Sequence, residues 1–198
     1  MPISPFRPTP KFTRWLHYAA LSTMLLAHPA AAAVWTGYDV AFSKAAYADP
    51  SEAANQDAIT AAVALTRGNN QGLYNAVLET SFLRYASPAD TEWAFAAGNS
   101  TEELSATNYA ALQFDDWTTA HGGNPPSTLG QNAVLHLISE DIYLDIRFTG
   151  WGSGSIAGGS FAYLRSAAPI PEPSTALLVG LGLIGLSSRL RREPAARA

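Results

Sequence analysis

Hydrophobic and polar residues alternate most regularly near the end of the central region of the chain. From residue 142 to 149 every second side chain is apolar, in the order Ile-Tyr-Leu-Asp-Ile-Arg-Phe-Thr. A period of two places the apolar set on one face of a β-strand. The apolar run 133–138 predicts its partner, and the polar residues 139–141 predict the turn of an antiparallel hairpin. Residues 152–159 are rich in Gly and Ser and predict a loop, after which 160–165 continues the sheet.

Earlier segments predict further strands with longer connections. Residues 59–66 alternate in the same way, and 79–85 is a second candidate strand. Residues 100–103 have the pattern of a helix capping box, but no 3.6-residue period follows, so we expect at most a short helical turn. Several strands separated by polar turns predict a mainly β fold, an antiparallel β-sandwich or jelly roll over residues 34–168.

The N-terminus has the three parts of a secretory signal peptide. Arg7, Lys11 and Arg14 make it basic, the mainly apolar stretch 15–26 follows, and Ala31 and Ala33 form an A-x-A cleavage site. We therefore expect residues 1–33 to be a signal helix that is removed on export. The alternative is an uncleaved anchor, for which the apolar stretch is short.

The C-terminus combines a rigid triplet, an apolar stretch and a basic end. Pro171, Glu172 and Pro173 favour an extended chain because each proline fixes φ and disfavours helix in the residue before it. Residues 174–188 carry no charge and would span about 22 Å as a helix, against roughly 30 Å of hydrocarbon. The basic residues that follow predict a stop-transfer signal with a cytoplasmic C-terminus: Arg189, Arg191 and Arg192.

Together these tail features resemble the PEP-CTERM sorting signal of Gram-negative bacteria, which the membrane enzyme exosortase reads. The resemblance covers residues 169–198 and implies cleavage near the triplet, loss of the helix, and delivery to the cell surface or the extracellular polymer matrix. Before processing, the helix would be a transient membrane anchor, much as a GPI signal is temporary. An ordinary single-span tail anchor is the alternative.

The ectodomain also resembles uncharacterised exported proteins that carry this signal. Four stretches give that resemblance: Ala-Asn-Gln-Asp (54–57), Thr-Arg-Gly-Asn-Asn-Gln-Gly-Leu-Tyr-Asn (66–75), Ser-Pro-Ala-Asp-Thr-Glu-Trp-Ala (87–94) and Asp-Ile-Tyr-Leu-Asp-Ile-Arg-Phe-Thr-Gly-Trp (141–151). The resemblance implies a cellular neighbourhood and no biochemical activity.

Charge is unevenly distributed along the chain. Residues 34–170 hold five basic and 14 acidic side chains, a formal net charge of −9, whereas the whole chain has −4. Such a domain repels phosphate backbones, so we expect no nucleic-acid partner. The chain has no cysteine, so an exported domain of this kind must be stabilised by its core and not by disulfides.

The residues that could carry catalysis are few. Only His121 and His136 remain outside the two ends, and without cysteine the usual zinc clusters and the Cys-His pair are excluded. Ser139 lies near His136 in the sequence, and with one of the many aspartates they have the residue types of a catalytic triad. Sequence proximity is weak evidence for one, because a triad is defined by geometry. The adjacent acids at 102–103, 115–116 and 140–141 are more typical of solvated loops than of glycosidase pairs. We therefore predict no catalytic residue, no metal site and no cofactor. Scattered carboxylates leave metal binding open as an alternative, and a hydrolase is the most remote one.

Aromatic residues leave a binding role open. Trp35, Trp93, Trp117 and Trp151 belong to the ectodomain, and we expect most of them in the core. Trp151 ends the alternating strand beside the glycine loop and is the best candidate for stacking on a sugar. The sequence thus predicts an exported surface protein with a structural or interaction role and exosortase as its processing partner. Binding of extracellular polysaccharide is the alternative, and an exposed row of tryptophans would favour it over a buried cluster.

Overall fold

The computed structural model of the chain describes residues 32–97, 99, 103–169 and 179. Several predicted segments lie outside the described residues: residues 1–31 of the predicted signal helix, which include Ala31, the PEP triplet, the apolar helix 174–188 (apart from Val179), and Arg189, Arg191 and Arg192. Within the described part, no helix has the length and apolar character needed to cross a membrane.

Nine strands and few helical turns make up the described part, which confirms the prediction of a mainly β chain. The strands are β1 (Ala33–Trp35), β2 (Val40–Lys44), β3 (Asp57–Ala58), β4 (Ala64–Arg67), β5 (Leu73–Asn75), β6 (Thr91–Ala94), β7 (Ala133–Leu137), β8 (Ile142–Trp151) and β9 (Phe161–Arg165). One short α-helix, α1 (Trp117–Ala120), and 3-10 turns at Ala53–Asn55, Ala106–Ala111, Pro125–Thr128 and Ser155–Ala157 lie between them.

The larger sheet has the antiparallel order β2-β9-β8-β7-β6. β8 is the longest strand; its first residues pair with β1 in parallel, and its later residues pair with β9. β7 and β8 form the predicted hairpin, and Asp141 takes a positive φ in the turn that joins them. The smaller sheet is the antiparallel set β3-β4-β5.

Both sheets contribute side chains to one hydrophobic core. The apolar residues of β8 at 142, 144, 146 and 148 are buried, as the alternation predicted. They pack with Trp93 from β6, with Leu65 and Leu73 from the smaller sheet, and with Val63, which directly precedes β4. Asp145 departs from the pattern because it is buried on the polar face of β8, where a carboxylate oxygen accepts a hydrogen bond from the Ala106 backbone N–H at 2.6 Å.

A buried ion pair links the two sheets. Asp57 of β3 accepts two hydrogen bonds from Arg165 of β9, from Nε at 2.6 Å and from Nη2 at 2.8 Å. The Tyr163 hydroxyl donates a third to the same carboxylate at 2.7 Å. Burial, followed by the charge of Asp57, raises the pKa of Tyr163 well above its ordinary value. The phenol therefore stays protonated and keeps donating to Asp57.

One strand prediction is wrong, and another holds only for its last three residues: of 59–66, residues 64–66 lie in β4. Residues 59–63 form a tight turn between β3 and β4, in which Ile59 N–H donates to the Val63 carbonyl and the Thr60 hydroxyl accepts from Val63 N–H. The segment 79–85 is a loop without strand pairing. A carboxylate oxygen of Glu79 ties this loop by accepting from the backbone N–H groups of Asn75 and Ala89, both at 2.8 Å. Local side-chain bonds to backbone thus compete with strand pairing at both places.

Candidate functional site

An open groove of about 560 Å³ lies in the described part of the chain. Its walls come from the β4–β5 turn, the loop after β5, the α1 region and the loop between β8 and β9. We call it the Arg67 groove and define it by six of its lining residues: Arg67, Arg84, Tyr85, Trp117, His121 and Trp151. The size is within the range of about 300–1,000 Å³ that is usual for small-ligand sites.

Arg67, the last residue of β4, is fixed by contacts on three sides. Its Nε donates to the Gln71 carbonyl at 2.7 Å, and Nη1 donates to the Ser160 carbonyl at 2.9 Å. Its guanidinium lies over the ring of Trp151, with the carbon 3.9 Å from the ring centroid, a cation–π contact. Arg67 is therefore held in one orientation, and only 2% of it is exposed.

The glycine loop after β8 is what brings Ser160 to Arg67. Gly159 has φ +64°, and a Cβ there would lie 1.7 Å from the Gly68 carbonyl oxygen. Only glycine allows so close an approach of the two backbones. The glycine-rich stretch is thus a loop, as predicted, and its composition is needed for the contact that positions the arginine.

The charge of Arg67 has no carboxylate partner among the described residues. Burial lowers the pKa of Arg67 to about 10 because the charged form loses its hydration. Its Nη2 donates no hydrogen bond within the described part of the chain. No Asp or Glu lines the groove in that part either, although the domain as a whole is strongly acidic.

A second buried cation lies close by. Lys44 is 2% exposed, and its Nζ makes no hydrogen bond to any described residue. Burial, and after it the charge of Arg67, lowers the pKa of Lys44. Lys44 and Trp151 both line a smaller cavity of about 370 Å³. Positive charge is therefore concentrated around Trp151.

His121 lines the groove and has one buried nitrogen without a hydrogen-bond partner in the described part of the chain. It is the C-cap residue of α1, is 5% exposed, and packs edge-on against Trp117 with ring centroids 4.6 Å apart. Its Nδ1 is buried and has no hydrogen-bond partner in the described part of the chain. Burial lowers the pKa of His121 below its ordinary value of 6.5, so the imidazole is neutral at pH 7.

The four tryptophans of the described residues form a mainly buried cluster and not an exposed row. Trp35, Trp93 and Trp117 are buried, and Trp117 packs with its ring centroid 4.7 Å from that of Trp93 and 5.8 Å from that of Trp151. Trp151 itself is half-buried and lines the groove, with Arg67 over its ring. The row that would have favoured sugar binding is absent from the described residues.

Another aromatic side chain is more accessible than Trp151. Tyr85 is 71% exposed, and the guanidinium carbon of Arg84 lies 4.8 Å from its ring centroid. Both residues are in the loop 76–90 that replaces the predicted strand 79–85, and both line the groove. Tyr85 has a backbone φ of +63°, which residues other than glycine rarely adopt.

Ser139 and His136 do not form the hydrogen bond that a catalytic triad would need. The Ser139 hydroxyl donates to Asp90, not to His136. His136 Nδ1 lies 2.7 Å from a carboxylate oxygen of Glu92, and its Nε2 lies 3.3 Å from one of Asp141. The ring of His136 stacks on Tyr143 with centroids 4.0 Å apart. These contacts join His136 of β7 to β6, to β8 and to the turn between β7 and β8.

The adjacent acids at 115 and 116 have local structural roles. Asp116 is the N-cap of α1, and its carboxylate accepts from the backbone N–H groups of Thr118 and Thr119. Asp115 accepts from the backbone N–H of Asp116. Within the described residues, no three His, Asp or Glu side chains are grouped so that they could hold a metal ion.

Of the residues predicted for sorting and processing, only Ala33 is described. It is the first residue of β1, and its N–H donates to the Asp141 carbonyl at 2.9 Å. The predicted boundary between residues 33 and 34 therefore passes through the start of β1. Cleavage there would leave Val34 and Trp35 to pair with β8.

Sequence reasoning missed Arg67, Lys44, Arg84 and Tyr85. The contacts that position Arg67 join distant parts of the chain: its hydrogen bond to the Ser160 carbonyl spans 93 residues. The one available signal was the scarcity of cations in residues 34–170. Only five basic residues stand among 14 acids there, so each basic residue is a candidate for a specific contact.

Comparison with known proteins identifies the C-terminal segment. Residues 169–192 match the family model of the PEP-CTERM protein-sorting motif. No curated protein and no solved structure matches the chain. The chain thus carries a PEP-CTERM sorting motif, consistent with a substrate of exosortase, and the motif implies an exported protein that is sorted to the cell surface.

Proposed function

We propose that exosortase cleaves this protein near Pro171, Glu172 and Pro173 and releases the ectodomain to the cell surface or the extracellular polymer matrix. There it has a structural or interaction role and no catalytic one. The observation that carries this proposal is the sorting motif at residues 169–192. The domain in front of the motif is a β-sandwich in this proposal, with its two sheets packed around the shared core.

The C-terminal helix is a temporary anchor in this account. Its uncharged stretch 174–188 is short for a permanent span, at about 22 Å against roughly 30 Å of hydrocarbon. Arg189, Arg191 and Arg192 hold the C-terminus in the cytoplasm until cleavage, because cytoplasmic flanks retain basic residues. The triplet then lies on the outer side of the membrane, where the ectodomain has already folded.

The folded domain ends just before the proposed cleavage region. Ser166 is buried, and its N–H donates to the Asp145 carbonyl at 2.9 Å. Two and three residues later, Ala168 and Pro169 are exposed. A cut at 171–173 would therefore leave every described strand intact.

Intact-mass spectrometry of the protein from an exosortase-bearing Gram-negative host tests this proposal. We expect a C-terminus near residues 171–173 and an N-terminus near residue 34. Replacing Arg189, Arg191 and Arg192 with Gln should leave uncleaved protein, whereas Arg197→Gln, outside the matched segment, should be processed normally. A mature C-terminus at Ala198 in the unaltered protein would refute the proposal.

A second candidate function is binding of extracellular carbohydrate. The observation that favours it is the Arg67 groove, which is open and lined by aromatic, amide and cationic side chains, as ligand sites are. Binding of the protein to the polysaccharide of its own producer, measured by co-sedimentation, tests it. Absence of binding to that polysaccharide and to every member of a glycan array would eliminate this candidate and leave the export proposal intact.

A further inference from the structure

We propose that the Arg67 groove binds an acidic sugar unit of a polysaccharide, with Arg67 and Arg84 facing its carboxylate and Tyr85 stacking on its ring. This inference rests on the carbohydrate-binding candidate above and specifies its ligand class. The ligand we infer is a uronate-type unit flanked by neutral units.

The charge of the groove is opposite to that of the domain around it. Two of the five cations of residues 34–170 line the groove, and none of the described acids of that segment does. Charges elsewhere on the surface are screened beyond about 8 Å at physiological salt, whereas a ligand in the groove meets the arginines directly. A polymer with a carboxylate on every unit would still be repelled by the domain's net charge of −9. A polymer with widely spaced carboxylates therefore fits better.

The groove has unused capacity to bind a carboxylate. Arg67 is a buried cation with no carboxylate partner in the described part of the chain, and its Nη2 donates no hydrogen bond there. A buried charge without a counter-ion is destabilising, and a ligand anion would offset that cost. The planar guanidinium is also the side chain best suited to bidentate carboxylate recognition.

The remaining lining matches the rest of a sugar ring. The axial C–H groups of a sugar form an apolar face, and the exposed ring of Tyr85 offers a flat apolar surface for it. Asn70, Gln71 and Asn124 line the groove and supply amide donors and acceptors for hydroxyl groups.

Calorimetric titration of the mature protein with matched oligosaccharides tests the inference. The ligands are glucuronate-, galacturonate- and mannuronate-containing oligosaccharides, each paired with its carboxyl-reduced neutral counterpart, and inorganic phosphate as a separate arm. We expect at least one acidic member to bind and its neutral counterpart to bind about tenfold more weakly, because a charge-assisted hydrogen bond is lost.

Arg84→Gln and Arg147→Gln form a matched pair of variants. Both arginines lie over a tyrosine ring, at 4.8 Å from Tyr85 and 4.7 Å from Tyr38, but only Arg84 lines the groove. We expect Arg84→Gln to weaken acidic-ligand binding about fivefold to tenfold and Arg147→Gln to leave it unchanged. Because Arg84 is exposed, its variant folds even if Arg67→Gln does not.

Each alternative result has a distinct meaning. Equal binding of acidic and neutral members, or equal loss in both variants, overturns the acidic-sugar inference while carbohydrate binding stands. Tighter binding of phosphate than of every acidic oligosaccharide also overturns it. Binding of no oligosaccharide overturns both the inference and the carbohydrate candidate, while export and processing are tested separately by mass.

Discussion

Two arginines of this domain are buried to a similar degree but differ in their partners. Arg165 is 7% exposed and makes two hydrogen bonds to the carboxylate of Asp57. Arg67 is 2% exposed, and its hydrogen bonds within the described residues go to backbone carbonyls alone. Arg165 joins the two sheets, whereas Arg67 lies at the wall of an open groove.

The difference separates a structural ion pair from a site that is ready for an anion. A paired buried charge contributes to the fold only while both partners remain. A buried cation without a counter-ion is not explained by stability, because neutral side chains would fill the same space at lower cost. The comparison therefore predicts that altering Arg165 mainly changes stability and that altering Arg67 mainly changes binding.

Arg165→Gln should have the largest effect on stability. It leaves Asp57 buried without its cation and Tyr163 as its remaining side-chain donor in the described part of the chain. We expect the free energy of unfolding to fall by about 3–5 kcal/mol, measured by urea denaturation. Asp39→Asn, at an exposed acid, is the control and should change it by less than about 0.5 kcal/mol.

Arg67→Gln should destabilise the domain less. The variant loses the contact with Trp151 and two hydrogen bonds to carbonyls, but it also removes a buried charge that has no counter-ion. We expect a loss of no more than about 2 kcal/mol together with loss of acidic-ligand binding. A loss of stability as large as that of Arg165→Gln would show that the two arginines do not differ as we infer.

The sequence predicted the β7–β8 hairpin but not the roles of the two arginines. The alternation in β8 predicted the β7–β8 hairpin because period two is a local property of the chain. The turn at 59–63 was missed because the Thr60 hydroxyl captures a backbone N–H that a strand would have used. Neither arginine's role was predictable, because Arg165 meets a residue 108 positions away and Arg67 one 93 positions away.

The pH dependence of the free energy of unfolding should show whether His121, which lines the groove, is kept neutral by burial. Burial lowers its folded-state pKa below the ordinary 6.5, so below pH 6.5 the unfolded chain binds a proton that the folded domain does not. Stability should therefore fall as the pH drops from about 7 through 6.5 and level off below the folded pKa. His121→Gln should reduce this slope, and an unchanged slope would mean that His121 is not protected from protonation.

Arg84→Gln should have the smallest effect on stability. Arg84 is exposed and contacts Tyr85 through its guanidinium, so we expect a change within about 0.5 kcal/mol. Thermal unfolding of this variant and of Arg147→Gln should give nearly equal midpoints. A large drop for Arg84→Gln alone would mean that its effect on binding reflects damage to the loop 76–90.

The most direct test is a side-chain NMR titration that observes both buried arginines at once. The 15Nε signals of Arg67 and Arg165 are followed while an acidic oligosaccharide that binds the mature protein is added. The comparison predicts that the Arg67 signal shifts with the bound fraction and that the Arg165 signal stays in place. Saturation of the protein with the ligand while the Arg67 signal remains unmoved would contradict it.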